Sequence, residues 1–263
     1  MVAIAEPVGL YTRSEMMVIS ASRALRDGDV VFVGVGLPNL ACNLAKRLHA
    51  PSLQMVYEAG IFDANPERQA LSIGDPCLVA GASCVTSISE IFLLYLQRGL
   101  IDVGFLGGAQ IDRYGNLNTT VIGDYSHPAV RFPGSGGACD IATLAKRVFI
   151  IGRQSRRSFV GRVDFVTSPG YLPGGGRPKG APGAGPQLVV TDLGVYSFRD
   201  SGEMTVTSLH PDVTAEEVCN KTGWEIEVPV NVSTTLLPTT EELRILREDL
   251  DPNCHYLKGE QTP

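Results

Sequence analysis

The spacing of apolar positions changes along this chain, and the changes mark its elements. Thr12-Arg13-Ser14-Glu15 carries a capping-box pattern, in which Thr closes a helix start and Glu reaches back three residues later. Met16, Met17, Ile19, Ala21, Ala24 and Leu25 continue it as a mostly apolar helix, which Asp27-Gly28 stops. Val30-Val31-Phe32-Val33 is too short for a helix and apolar throughout, as a strand covered on both faces should be. Gly34-Val35-Gly36-Leu37-Pro38 then leads into a helix from about Asn39 to Leu48. Gln54–Tyr57 reads as the next strand and Leu78-Val79-Ala80 as a short apolar run. An amphipathic helix from about Ser87 to Gln97 and a buried strand at Val103–Leu106 follow. Strands alternating with helices at this spacing predict an open, mostly parallel α/β sheet with helices on both faces.

From Gly107 the grammar changes. Tyr114-Gly115-Asn116 is a turn signal between two candidate strands, Ala109–Asp112 and Leu117–Ile122. A helix beginning near Cys139 or Asp140 is expected next, then strands at Val148–Ile151 and Val163–Val166. The basic residues between them, Arg153, Arg156, Arg157 and Arg162, read as a solvated face or a subunit contact. Residues 169–186 hold seven Gly and five Pro, a density that no regular element survives, so a long irregular loop is expected. Arg177 and Lys179 in it are placed to meet a phosphate. Leu188–Thr191, Val195–Phe198 and Met204–Ser208 predict a β-rich C-terminal portion. Helices at about Thr214–Lys221 and Thr239–Glu248 close the chain. No repeat and no clean linker divides residues 1–263, which read as a single domain.

Composition narrows the class. The 263 residues are 44% hydrophobic and 19% charged, which is the balance of a soluble globular protein able to bury a full core. A net charge of −6 argues against a nucleic-acid surface. The first fifteen residues lack the basic, apolar and cleavage regions of a signal peptide, and no apolar run approaches a membrane span, so a cytoplasmic protein without a membrane partner is expected. Cys42, Cys77, Cys84, Cys139, Cys219 and Cys254 form no CxxC pair, and their apolar settings predict buried, reduced thiols. With His49, His127, His210 and His255 they show no metal-ligand spacing, so no metal is expected. His127 reads as structural, since no Ser or Cys nucleophile motif accompanies it.

Three stretches carry candidate chemistry. Gln54–Phe62 starts as a strand and ends abruptly in Glu58-Ala59-Gly60, which places a carboxylate where parallel sheets bind their ligands. The plain alternative is a loop acid paired with a nearby Lys or Arg. Gly34-Val35-Gly36 suggests a dinucleotide turn, but Asn39 stands where the third glycine of GxGxxG belongs and Pro38 intrudes. Exposed backbone N–H groups near a helix start suit an anion or oxyanion instead. Gly134-Ser135-Gly136-Gly137 offers a second cradle of the same kind, with a tight connection as its plain reading.

VGVGLP, VYEAGIFDA, IGDP, GGAQIDRYGNLNTTVIGDYSHP, RFPGSGGACDIAT, FVTSPGY and GPQLVVTDLGVYSF follow one another here in the order and approximate spacing of a known family. They resemble the β subunit of family I coenzyme A transferases, the glutaconate CoA-transferase β subunit above all, over about residues 10–255. The resemblance implies an open α/β fold, an α subunit as partner in a heterodimer, an α2β2 or a larger assembly, and an active site between the subunits. It also implies a nucleophile at Glu58, with candidate oxyanion or CoA-binding amides at Val35, Gly36, Gly134, Gly136 and Gly137. The substrates would be an acyl-CoA and a carboxylic acid, dicarboxylic acids included, with no cofactor beyond the CoA they carry. Some members of the family replace the glutamate and decarboxylate or hydrolyse CoA thioesters; Glu58 is retained here. A non-catalytic subunit and a nucleotide-binding protein are the alternatives from other classes.

Overall fold

The computed structural model describes residues 11–257. Helix α1 (Arg13–Arg23) begins with the expected reciprocal cap: Glu15 N donates to Thr12 Oγ1 at 3.1 Å and Thr12 N to Glu15 Oε2 at 2.7 Å. Strand β1 (Val30–Phe32), helix α2 (Leu37–Leu48) and strand β2 (Gln54–Tyr57) form the first βαβ unit. α2 starts before Asn39 because Pro38 lies in its first turn, where a missing N–H costs nothing. β3 (Ile61–Phe62) and β4 (Cys84–Val85) follow in antiparallel steps. Between them Asp75 caps a short 3₁₀ turn, Pro76–Val79. α3 (Ile88–Glu90) runs directly into a π turn, Ile91–Leu96.

β5 (Val103–Leu106) returns to the sheet. β6 (Gln110–Ile111) and β7 (Leu117–Asn118) form one hairpin, β8 (Val121–Gly123) and β9 (Pro128–Arg131) another. After α4 (Ala138–Leu144) come β10 (Arg147–Ile151), β11 (Pro186–Val190), β12 (Gly194–Phe198) and β13 (Met204–Leu209). α5 (Ala215–Asn220), β14 (Ser233–Thr234) and α6 (Thr240–Arg244), which continues as a π turn over Ile245–Leu250, complete the chain. The sheet order is β14-β13-β12-β11-β10-β5-β1-β2-β3-β4, and its centre (β2, β1, β5, β10, β11) is all parallel.

Strand alternation divides the interior into two cores. Val31, Met55, Tyr57, Val103, Phe105, Phe149 and Ile151 pack with α1, α2 and the C-terminal helix on one face. Phe32, Val56, Leu106, Val148, Ile150 and Val189 pack on the other face with Ile91 and Leu96 of the π turn and Ile141 of α4. Helices therefore cover both faces, and continuous apolar strands are the result.

Several expectations are revised. Val163–Val166 is no strand; Asp164 instead accepts from Gln110 Nε2 at 3.1 Å and Gly123 N at 2.9 Å, so side-chain bonds replace a ladder. Leu117–Ile122 breaks into β7 and β8 because Asn118 Oδ1 accepts from Thr120 N at 2.9 Å and turns the chain. Only Cys42 is fully buried; Cys84, Cys219 and Cys254 are exposed, and all six thiols are free. Arg177 meets backbone rather than phosphate. It donates to Gly183 O and Pro169 O, both at 3.2 Å, to Ala142 O at 2.6 Å and to Gly170 O, which staples the irregular loop to α4. His127 is exposed at the tip of the β8–β9 hairpin, beside Asp124.

His210, just past β13, makes the fold sensitive to acid. Its Nε2 lies 2.9 Å from Thr191 O, an obligate acceptor, so Nε2 carries the proton and Nδ1 accepts from Thr235 Oγ1 at 3.1 Å. Burial pulls its pKa from the usual 6.5 down to about 4. Between those values the unfolded chain binds the extra proton, so stability is full above pH 6.5 and falls as pH drops toward 4. At about 1.36 kcal/mol per pH unit the loss approaches roughly 3 kcal/mol. Urea denaturation at pH 8 and pH 5 should show about 2 kcal/mol of it, and His210→Gln should flatten the difference; an unchanged slope in the variant would assign the acid sensitivity to other groups.

Candidate active site

The site grows out of the end of β2. Tyr57 points into the α1/α2 core, where it is fully buried and its hydroxyl donates to Asn39 Oδ1 at 2.6 Å. Asn39 Nδ2 in turn donates to Gln69 Oε1 at 2.7 Å, and Asn43 Nδ2 to Asn39 O at 2.9 Å. Every side-chain polar atom of the Tyr57–Asn39 pair thus has a partner, which makes the last residue of the strand a fixed post. Burial also pushes the Tyr57 phenol well above its ordinary pKa, so it stays neutral as a donor. Asn39 and Gln69 line a polar cavity of about 340 Å³ on this face, together with Asn43, Arg68 and His255. Glu58 is not part of that lining.

Glu58-Ala59-Gly60 is a three-residue hairpin loop between β2 and β3, which pair Tyr57 with Ile61. Gly60 N donates to Tyr57 O at 3.0 Å and closes the loop. Gly60 has φ +92°, the left-handed residue that such loops need. Thr86 N donates to Gly60 O at 2.7 Å, and a Cβ on Gly60 would collide with the Thr86 carbonyl oxygen. Glu58 is therefore the first residue of a turn held from both sides. Its side chain is half-buried, and among the described residues it makes no hydrogen bond or ion pair. The plain reading of a paired loop acid therefore lacks a partner among the described residues.

The carboxylate lies on the α4 side of the sheet. A Cβ placed on Gly137, the N-cap of α4, would stand 3.2 Å from Glu58 Oε1 and inside the ring of Phe92. α4 can sit this close because Gly104 of β5 leaves room for Ile141. Glu58 and Gly137, the start of α4, are thus brought together. Val35 and Gly36 follow the end of the neighbouring strand β1, whose last residue Phe32 pairs with Val56. A Cβ on Gly36, which has φ +91°, would lie 3.7 Å from the Tyr256 ring.

Among the described residues the N–H groups of Val35, Gly36, Gly136 and Gly137 donate to no protein acceptor. Gly134 differs. Its N–H is committed to Thr119 O at 3.1 Å and its carbonyl accepts from Thr119 Oγ1 at 2.9 Å, so it anchors the loop and has no amide to offer. Sequence reasoning missed Phe92 and the Tyr57–Asn39 pair. The pair is signalled only by polar residues inside apolar segments, and Phe92 by nothing that sets it apart from its helix.

Residues 14–221 match the Coenzyme A transferase family model. The chain is 50% identical to the B-type subunit of the 3-oxoadipate CoA-transferase of Pseudomonas knackmussii, over 90% of its own length and 92% of that protein's. It superposes on the crystal structure of glutaconate coenzyme A-transferase from Acidaminococcus fermentans with a TM-score of 0.87 at 34% identity, covering 95% of this chain and 98% of that one. The decarboxylase AibA/AibB matches with a TM-score of 0.80 at 29% identity over 93% and 97% of the two chains. The chain belongs to the coenzyme A transferase family. It is a β-type subunit of an acyl-CoA:carboxylate CoA-transferase and functions with a partner subunit.

The turn has a direct stability test. Gly60→Ala must place a side chain at positive φ against the Thr86 carbonyl, and should cost about 2–4 kcal/mol. Tyr57→Phe removes one of two donors to Asn39 Oδ1, the other being Asn43 Nδ2 at 3.2 Å, and should cost about 1 kcal/mol. Urea midpoints of the assembled protein measure both; an unshifted midpoint for Gly60→Ala would mean that the turn closes in some other way.

Proposed function

We propose that Glu58 is the nucleophile of this transferase and that its substrates are dicarboxylic acids of the 3-oxoadipate and glutaconate type. The observation that carries the reading is an unpaired, half-buried carboxylate at the carboxyl edge of a parallel sheet, its Oε1 3.2 Å from where a Cβ on Gly137 would stand. The names of the relatives support the acid class. A carboxylate suits this reaction because CoA must pass between acids without loss to water. Glu58 attacks the acyl-CoA carbonyl, the C–S bond breaks, and an acyl–glutamyl anhydride and CoA thiolate form. The thiolate attacks the glutamyl carbonyl, the anhydride C–O bond breaks, and the first acid leaves from a glutamyl-CoA thioester. A second acid attacks that thioester and the two steps run in reverse.

Each attack passes through a tetrahedral oxyanion. The N–H groups of Gly136, Gly137, Val35 and Gly36, which have no protein acceptor, are the candidate donors for it. These amides need no reorganisation during the reaction, since none has a protein acceptor to leave. The partner subunit supplies the rest of the pocket in this reading.

A covalent trap tests the proposal. The chain is co-expressed with its partner subunit, given acyl-CoA without an acceptor acid, reduced with borohydride and mapped by mass spectrometry. Reduction of a glutamyl thioester at Glu58, dependent on acyl-CoA, is the expected result. Glu58→Ala should assemble yet lose transfer by a factor on the order of 10⁴ or more, the scale of nucleophile removal in covalent enzymes. The likeness to AibA/AibB favours one second reading, a CoA-thioester decarboxylase or hydrolase. Net release of CoA or CO₂ without an acceptor, and with Glu58 unmodified, would establish that reading instead.

A further inference from the structure

Among the described residues, Phe92 is a large side chain that reaches the same point as the Glu58 carboxylate. Its ring presses on the bare Cα of Gly137, where a Cβ would collide with it, and Glu58 Oε1 lies 3.2 Å from that same position. Behind it the ring packs on Phe32, with centroids 5.6 Å apart at 59°. The inner part of the ring is therefore covered by carbon, while the residue as a whole stays half-buried. The uncovered part shares the rim of the site with the carboxylate.

The backbone explains how a helical residue comes to stand there. Gln97 N donates to Phe92 O at 2.9 Å, an i→i+5 bond that widens the helix into the π turn Ile91–Leu96. The two buried residues of that turn, Ile91 and Leu96, are five positions apart, a spacing that the wide turn makes possible. With those two anchored in the core, Phe92 is set at its edge. Such turns cost helix geometry and are found often at functional sites.

Resting on Glu58 as the nucleophile, we infer that Phe92 is the apolar wall of the acyl pocket and a determinant of acid selectivity. In the acyl–glutamyl anhydride the acyl carbonyl is bonded to a Glu58 oxygen, and the carbons after it must pass the ring that flanks that oxygen. The wall is hydrocarbon, so it fits an acid whose reacting carboxyl is followed by an aliphatic segment of two or more carbons. An acyl group with a single methyl makes little of that contact.

The test compares how fast glutaryl-CoA and acetyl-CoA load Glu58 in the assembled enzyme, without acceptor, by the borohydride trap. The wild type should prefer glutaryl-CoA, and Phe92→Ala should reduce the preference by about tenfold or more, the scale set by methylenes in apolar pockets. Phe92→Met, which keeps an apolar surface and fills the space, should retain most of it. Phe92→Gln, similar in volume but polar, should lose it even if the alanine variant fails to fold. An unchanged glutaryl-to-acetyl ratio in Phe92→Gln, or equal slowing of both thioesters, would overturn the inference and leave Phe92 as packing. Acyl-CoA consumption with no label on wild-type Glu58 would overturn the nucleophile reading, and this inference with it.

Discussion

The arrangement at Glu58 depends on a place where the chain has no room for a side chain. Gly60 must turn with positive φ while its carbonyl accepts from Thr86, and the Thr86 carbonyl fills the space a Cβ would need. This joins two segments that sequence separates, the end of β2 and the start of α3. Through α3 it also sets the π turn that carries Phe92. A residue with a side chain at position 60 would push these apart and release the carboxylate, the hairpin β2–β3 and the helix that borders them. The constraint is steric, so it holds whatever the pH or salt.

Strand alternation then gives consecutive residues opposite tasks. Tyr57 faces the core shared with α1 and α2, where burial is acceptable because Asn39 and Gln69 satisfy its hydroxyl and one another. Glu58 faces the other way, toward Gly137 and Phe92, and is given neither a cation nor a donor side chain. A carboxylate with an ion pair in this position would have its attacking electrons already engaged. Rigidity thus comes from the residue before the acid and availability from the absence of partners around it.

The features legible in the sequence were those with a local cause. Capping at Thr12, the apolar runs of β1, β2, β5 and β10 and the turn at Tyr114-Gly115-Asn116 each follow from residues within a few positions of one another. The carboxylate at the end of β2 was legible for the same reason, as a strand that stops in Glu-Ala-Gly. What escaped was decided at a distance. Asp164 looked like part of a strand until Gln110 and Gly123 claimed its carboxylate from another segment. Arg177 looked like a phosphate ligand because nothing in the loop shows that four carbonyls converge on it. Gly134 was grouped with Gly136 and Gly137 by adjacency, whereas a bond to Thr119 separates its role from theirs. The π turn depends on which residues the core holds, Ile91 and Leu96, and periodicity alone does not give that choice.

The chemistry also asks for something this chain lacks. The anhydride and glutamyl thioester of the proposed mechanism both hydrolyse, so that mechanism requires the carboxylate to be shut away from water while they exist. Around Gly134 and Gly136 a Cβ would meet nothing within 4 Å, so the amide side of the site is open. On the elements bordering it, Val85, Ile88 and Leu94 are left about half exposed, at 57%, 53% and 47%. Apolar groups so placed are costly to leave wet and favourable to cover. On the proposed mechanism, a partner covering this face gives a safeguard: in the lone chain the half-buried carboxylate borders an open surface, where an anhydride would meet water. On that argument assembly with the partner subunit is a condition of transfer, because it separates passing CoA between acids from losing it to water.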